Sequence, residues 1–337
     1  MKVKEYLKLA RSFNASLTAI SPVMGAVSMQ CYNLWHLITL FIIGFLGHTY
    51  GFVLNDIKDL EIDRHSEEIR DRPLVSGTIS VREAWCFAIS SMIAAFVIAI
   101  SLCIATNNYT PLPVLALSAL SITVYDYISK KYPLMDIFVA TGIFFLILYG
   151  AMTVAGSIYK ITKLAWIVCI LGFLQVIFMQ LIAGGLKDIE NDFKRGANTL
   201  AVKMGVRVVN RQLFVPMSFK GLAYSLQILD VSFVFLSFFM VKELMEIDVL
   251  RYLQWSLLIA VSVMMFFFSH KLLNLGTFER DKARKFIGLH YYTNFALAPF
   301  LLMGINPWIG IIVIFPALGF MLSNVILHGT LFQPKTM

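Results

Sequence analysis

Charge is what this chain has least of. Of its 337 residues only 14% are Asp, Glu, Lys or Arg, while 58% are hydrophobic. Soluble domains carry about 25% charged residues, so a water-soluble globular domain is excluded. Cysteine is scarce too. Cys31, Cys86, Cys103 and Cys169 lie scattered in apolar stretches without ligand spacing, which excludes a disulfide framework or a zinc site. The six histidines form no pair; His48 reads as a hydrogen-bonded core histidine. No low-complexity segment or short-period repeat interrupts the chain. No small-residue cleavage site follows the basic N-terminus, so the first apolar run is expected to be retained.

What the chain does have is hydrophobic length. Runs of about 20 apolar residues, enough to cross ~30 Å of hydrocarbon, recur throughout. The expected fold is an all-α polytopic transmembrane helical bundle of nine to ten spans with cytoplasmic cap loops. Ten spans are read near 13–32, 35–55, 84–105, 111–128, 134–157, 164–186, 222–241, 251–273, 286–305 and 308–328, with Asn306-Pro307 dividing the last two. A single domain over 1–337 is expected, with an interfacial helix at 1–12 and cytoplasmic active-site loops at 55–83 and 187–221.

Orientation follows from the basic residues. With the N-terminus inside, all but Lys160, Lys163, Lys242 and Arg251 of the 28 Lys and Arg fall on the cytoplasmic side. The net charge of +8 therefore reflects topology and anionic headgroups, and gives no argument for nucleic acid. A prokaryotic plasma membrane is the simplest location.

Two acidic clusters stand at span ends on that same face. One reads Asn55-Asp56-Ile57-Lys58-Asp59-Leu60-Glu61-Ile62-Asp63, the other Lys187-Asp188-Ile189-Glu190-Asn191-Asp192. Each helical residue advances about 100°, so Asp56, Asp59 and Asp63 share one face, with Asn55 beside it. Asp188 and Asp192 share a stripe, whereas Glu61 and Glu190 point away. Carboxylates are costly near a bilayer and repel one another at this spacing. A divalent cation would supply the missing charge, and Mg²⁺ with a diphosphate suits such oxygen ligands and the nearby Lys and Arg. A single D-x-x-x-D pair would usually be a solvated loop; two clusters on one side of the membrane make accident a poor explanation.

Asn55-Asp56-x-x-Asp59-x-x-x-Asp63 followed by Arg72-Pro73-Leu74-x-x-Gly77 resembles the first signature of the UbiA superfamily of intramembrane prenyltransferases. Lys187-Asp188-x-x-x-Asp192-x-x-x-Gly196-x-x-Thr199-Leu200-Ala201-Val202-x-x-Gly205 resembles the second. Arg11, Tyr125, Lys130 and Lys131 resemble further family positions, and the likeness runs from about residue 11 to 210. It implies nine helices around a cavity, and transfer of an isoprenyl group from its diphosphate to a lipophilic acceptor. Two Mg²⁺ ions are implied, one on Asp56, Asp59 and Asp63 and one on Asp188 and Asp192. Asn55, Arg11, Arg72, Tyr125, Lys130, Lys131 and Lys187 would bind substrate. The partners implied are the isoprenyl diphosphate, the acceptor and membrane lipids; oligomeric state is not legible.

Aromatic faces such as Tyr149 or Phe178 would stabilise an allylic cation, although an aromatic in a span is more often packing. Gly44, Gly47 and Gly51 share a face of span two and allow close helix approach. Gly184-Gly185 are expected to loosen or kink span six. The first motif resembles members that prenylate geranylgeranylglyceryl phosphate, the second those that prenylate a dihydroxynaphthoate. The Glu68-Ile69-Arg70-Asp71 run departs from the family pattern before Arg-Pro-Leu. Rival readings are a cation-coupled transporter, which would place acids nearer mid-membrane, and another Mg²⁺-dependent lipid transferase, whose Asp-Gly opening neither cluster has.

Overall fold

The computed structural model describes residues 2–64, 69–129, 132–194, 196–246 and 248–330, without the side chains of Ile62, Asn191 and Lys194. The helices are α1 (Lys2–Leu9), α2 (Ser12–Ala19), α3 (Ser21–Ser28), α4 (Leu34–Asp63), α5 (Val81–Thr106), α6 (Pro111–Ile128) and α7 (Ile137–Ala155). They continue as α8 (Lys163–Ile177), α9 (Gly185–Lys194), α10 (Leu200–Lys203), α11 (Met217–Met240), α12 (Val249–Leu273), α13 (Arg280–Leu302) and α14 (Ile314–His328).

Among the described residues, eight helices are long and apolar enough to cross a membrane; the reading of ten spans is not reached by that measure. Residues 13–32 instead form α2 and α3, eight residues each. Pro22, in the first turn of α3, has no N–H for the carbonyl four residues back, which breaks the ladder. Residues 286–302 fall in α13, whose apolar content is diluted by the charged opening Arg280-Asp281-Lys282-Ala283-Arg284-Lys285 and by the run His290-Tyr291-Tyr292-Thr293-Asn294. The break at Asn306-Pro307 is present: Asn306 Oδ1 accepts from the Trp308 N–H at 3.1 Å, and a 3₁₀ segment starts at Pro307.

α12 shows the solvent these helices are built for. Its polar residues Gln254, Ser262 and Ser269 are buried, while Ile259, Val263 and Phe267 are more than half exposed. That arrangement is inverted relative to a water-soluble helix and matches a lipid-facing one.

Two compact units make up the chain. The first comprises 1–127, 145–161 and 314–337, the second 128–144 and 162–313. In the first, Leu9, Val53, Leu60, Leu74, Ile79, Ala84 and Ala88 form a core where α1, the end of α4, the following loop and the start of α5 meet. Glycine lets backbones touch here. A Cβ on Gly25 would meet the Ile147 carbonyl, and one on Gly150 the Pro22 carbonyl, so α3 and α7 approach without side chains between them. A Cβ on Gly44 would lie 2.8 Å from the Ala19 backbone, whereas Gly47 faces open space.

In the second unit, α8 runs into a π-helical stretch, Phe178–Gly184, and then α9. This is the irregularity expected of Gly184-Gly185. The segment packs through Phe178, Leu181, Ile182, Leu186 and Ile189 into one core with α10, α11, α12 and α13. Two short strands, β1 (Arg207–Val209) and β2 (Gln212–Phe214), pair antiparallel. An all-α reading did not contain them. Asn210 and Arg211 both take positive φ, 49° and 62°, the two-residue turn that matches strand twist.

Candidate active site

The first acidic cluster occupies the last turns of α4, in the first unit. Asp56 and Asp63 are buried, at 4% and 7% exposure, and Asp59 and Asn55 are half-buried. Leu60, one turn after Asp56, anchors this end of the helix in the core. Buried carboxylates need partners, and two arginines supply them. Arg11 Nη2 donates to Asp56 Oδ1 at 2.5 Å. Arg72 Nη1 lies 2.5 Å from Asp63 Oδ2 and 3.5 Å from Asp56 Oδ1. One cationic nitrogen therefore already stands between two motif carboxylates.

Local structure aims both arginines. Arg11 sits at the break between α1 and α2 with φ 45°, a conformation costly for a residue with a side chain. Its carbonyl faces His48 Nε2 at 3.4 Å, and its guanidinium lies 5.1 Å above the Phe52 ring. His48 also meets Thr18 Oγ1 at 3.0 Å, so it is a bonded core histidine that braces Arg11. Burial opposes the Arg11 charge, but Asp56, by charge and hydrogen bond, with Asp63 and Asp59 beyond it, holds its pKa above the ordinary value. Arg72 is presented by a compact loop. The Pro73 carbonyl accepts from the Ile79 N–H and the Thr78 hydroxyl, each at 3.1 Å, and Gly77 supplies φ +75°. A Ser80–Glu83 capping box then starts α5.

Asn55 turns its amide nitrogen to Asp126 Oδ1 of α6 at 3.3 Å. Asp126 had no signal in the sequence beyond being an acid in an apolar span. Tyr125 is half-buried on the same helix. Lys130 and Lys131 lie outside the described residues.

The second cluster rides on α9, in the second unit. Leu186 and Ile189 are fully buried, which leaves Lys187, Asp188 and Asp192 half-buried off that face and Glu190 exposed. Arg280 Nη2 donates to Asp188 Oδ1 at 2.8 Å, and Lys187 Nζ stands 3.5 Å from Asp188 Oδ2. Arg280 is 92 residues from its partner, in a stretch where the sequence offered only a charged helix start. Phe178 stacks on His290 with centroids 4.2 Å apart, and His290 Nε2 meets Gln227 Nε2 at 2.8 Å. Phe178 is thus a packed ring of the π segment, and Tyr149, in the first unit, is fully buried.

Among the described residues no three His, Cys, Asp or Glu side chains come together as a preformed metal site. The donors nonetheless fit a hard divalent cation. Asp56 and Asp63 offer carboxylate oxygens close enough to share one guanidinium nitrogen, and Mg²⁺ takes such ligands.

Comparison with known proteins converges on one family. The UbiA prenyltransferase family model matches residues 16–290. A digeranylgeranylglyceryl phosphate synthase of Sulfolobus acidocaldarius is 30% identical over 211 residues, 61% of this chain and 71% of the relative. A 4-hydroxybenzoate octaprenyltransferase of Polaromonas naphthalenivorans is 29% identical over 212 residues, 60% of this chain and 69% of the relative. A solved UbiA homologue from Archaeoglobus fulgidus, bound to GPP and Mg²⁺, matches with a TM-score of 0.62 at 18% identity, over 87% of this chain and 99% of that one; that likeness speaks for the fold. Lipid-length helices, the two aspartate motifs and a match over most of the chain agree: this is an integral, multi-pass membrane prenyltransferase and a member of the UbiA prenyltransferase family.

Proposed function

We propose that the protein transfers an isoprenyl group from an isoprenyl diphosphate to a lipophilic acceptor, with Mg²⁺ and with release of diphosphate. The acceptor is a membrane-soluble nucleophile, either a geranylgeranylglyceryl phosphate or an aromatic quinone precursor such as a hydroxybenzoate or dihydroxynaphthoate. The names of the relatives support the first two. The observation that carries the reading is Asp56 and Asp63, buried at a span end and sharing one cationic nitrogen of Arg72.

Asp56, Asp59 and Asp63 would hold one Mg²⁺, and Asp188 and Asp192 a second. Bound there, the metal supplies positive charge against the departing diphosphate. Arg11, Arg72 and Lys187 add donors for phosphate oxygens, with Lys130 and Lys131 in the same role. Asn55 contributes a neutral oxygen, and Tyr125 a ring and hydroxyl beside it. As the C–O bond breaks, the electron pair leaves with the diphosphate and the allylic carbon becomes cationic. Apolar walls keep water from it until the acceptor oxygen or ring carbon attacks and gives up its proton. The distribution of basic residues supports a cytoplasmic N-terminus and a site on the cytoplasmic face, in a prokaryotic plasma membrane, with 1–337 working as one prenyltransferase domain.

The test is a product assay. Purified protein with Mg²⁺ and geranylgeranyl diphosphate is offered each of the three acceptors in turn, and products are identified by mass spectrometry. One prenylated acceptor is expected; intact diphosphate in every tube, with no binding, would overturn the reading.

A further inference from the structure

The proposed reaction leaves one buried acid next to the first motif unused. Asp126, in the last turn of α6, is 6% exposed. Its Oδ1 accepts from Asn55 Nδ2 at 3.3 Å, while Oδ2 is buried without a hydrogen-bond partner among the described residues. A carboxylate at a span end is expensive, and packing gains nothing from it that a leucine would not give.

Asp126 is part of a three-point grip of α6 on α4. Tyr50 and Thr123 join hydroxyls at 2.7 Å. Lys58 Nζ stands 3.6 Å from the centre of the Tyr127 ring, with Trp85 of α5 at 5.3 Å. The outer ties fix how far α4 is rotated. The middle one does something different, because it ends on Asn55 itself.

An asparagine side chain has a donor end and an acceptor end of nearly the same shape. Asp126 Oδ1 takes the N–H end and so leaves the carbonyl oxygen for the other side. Turned the other way, Asn55 would offer N–H where a cation or a donor must be met. We propose that Asp126 is a positioning residue of the transfer reaction: it acts through Asn55, orienting the carboxamide so that its oxygen serves the first motif. The assignment rests on Asn55 having the substrate-binding role given above.

The experiment uses the full chain in detergent with Mg²⁺. It measures Kd for geranyl diphosphate by calorimetry and Tm by scanning fluorimetry for wild type, Asp126→Leu, Asp126→Asn, Asn55→Ala, the Asp126→Leu/Asn55→Ala double variant and Thr123→Val. Asp126→Leu should raise Kd about tenfold, the upper end of what one hydrogen bond contributes, with Tm unchanged or higher. Asp126→Asn, which keeps a carbonyl oxygen, should recover most of the affinity. In the Asn55→Ala background Asp126→Leu should add nothing, and Thr123→Val should lower Tm without moving Kd.

Wild-type affinity in Asp126→Leu, with Asn55→Ala impaired, overturns the assignment alone. So does a penalty that persists in full without Asn55, a lower Tm with unchanged Kd, or an equal rise in Kd from Thr123→Val, which would make the effect helix registry. Normal binding by Asn55→Ala overturns the assignment together with the reading beneath it.

Discussion

Arg72 and Asp63 form a short, largely buried ion pair: Nη1 to Oδ2 is 2.5 Å, with side-chain exposures of 12% and 10%. The same nitrogen reaches Asp56. Removing one partner of a buried pair costs about 3–5 kcal/mol, because the other charge is stranded. Arg72→Ala is expected to lower Tm in low-divalent buffer, and Mg²⁺ should restore more of that loss than it adds to wild type. Equal Mg²⁺ shifts in both proteins would separate the guanidinium from the metal ligands.

Asp56 and Asp188 differ in their surroundings although both are assigned to metal. Asp56 is 4% exposed and holds two arginines, whereas the Asp188 side chain is 38% exposed. Alanine at either position should cut turnover at least about a hundredfold, in line with losing a charge-stabilising group. Only Asp56→Ala should also lower Tm. Turnover close to wild type in both variants would remove these residues from the metal assignment.

Chelation should act on the reaction and not on the fold. EDTA is expected to stop product formation, and Mg²⁺ to restore it, with the far-UV circular dichroism of the helices unchanged. Turnover that survives thorough chelation would point to a metal-independent route.

The Gln227–His290 pair is a buried polar contact under the π segment, and His290 carries the Phe178 ring. Stranding one partner costs about 1–3 kcal/mol, while replacing both by apolar groups can be near neutral. Gln227→Leu or His290→Leu alone should lower Tm more than the double replacement. Additive losses would show that the two do not depend on each other.

Two glycines of α4 give opposite forecasts. Gly44→Ala pushes a methyl into the Ala19 backbone, whereas Gly47→Ala meets nothing. The first should destabilise by about 1–3 kcal/mol through overpacking, and the second be neutral or gain up to ~1 kcal/mol of helix propensity. Thermal unfolding in one detergent compares them directly.

The sequence was enough for the solvent, the helices and the shared face of Asp56, Asp59 and Asp63, because hydrophobic length and helical period are properties of neighbouring residues. It also marked the break at Asn306-Pro307 and the irregular turn before the second motif. Its spans at 13–32 and 286–305 correspond to the broken pair α2 and α3 and to α13, because apolar content alone registers neither the break at Pro22 nor the polar residues of α13. Its glycine face held at Gly44 and not at Gly47, because whether a backbone lies opposite depends on the packed neighbour. Which cation meets which carboxylate was set by packing across the chain. Arg11 reaches Asp56 across 45 residues, Asp126 meets Asn55 across 71, and Arg280 finds Asp188 across 92. No local period encodes such pairings; they arise when packing brings polar groups distant in sequence within hydrogen-bond reach.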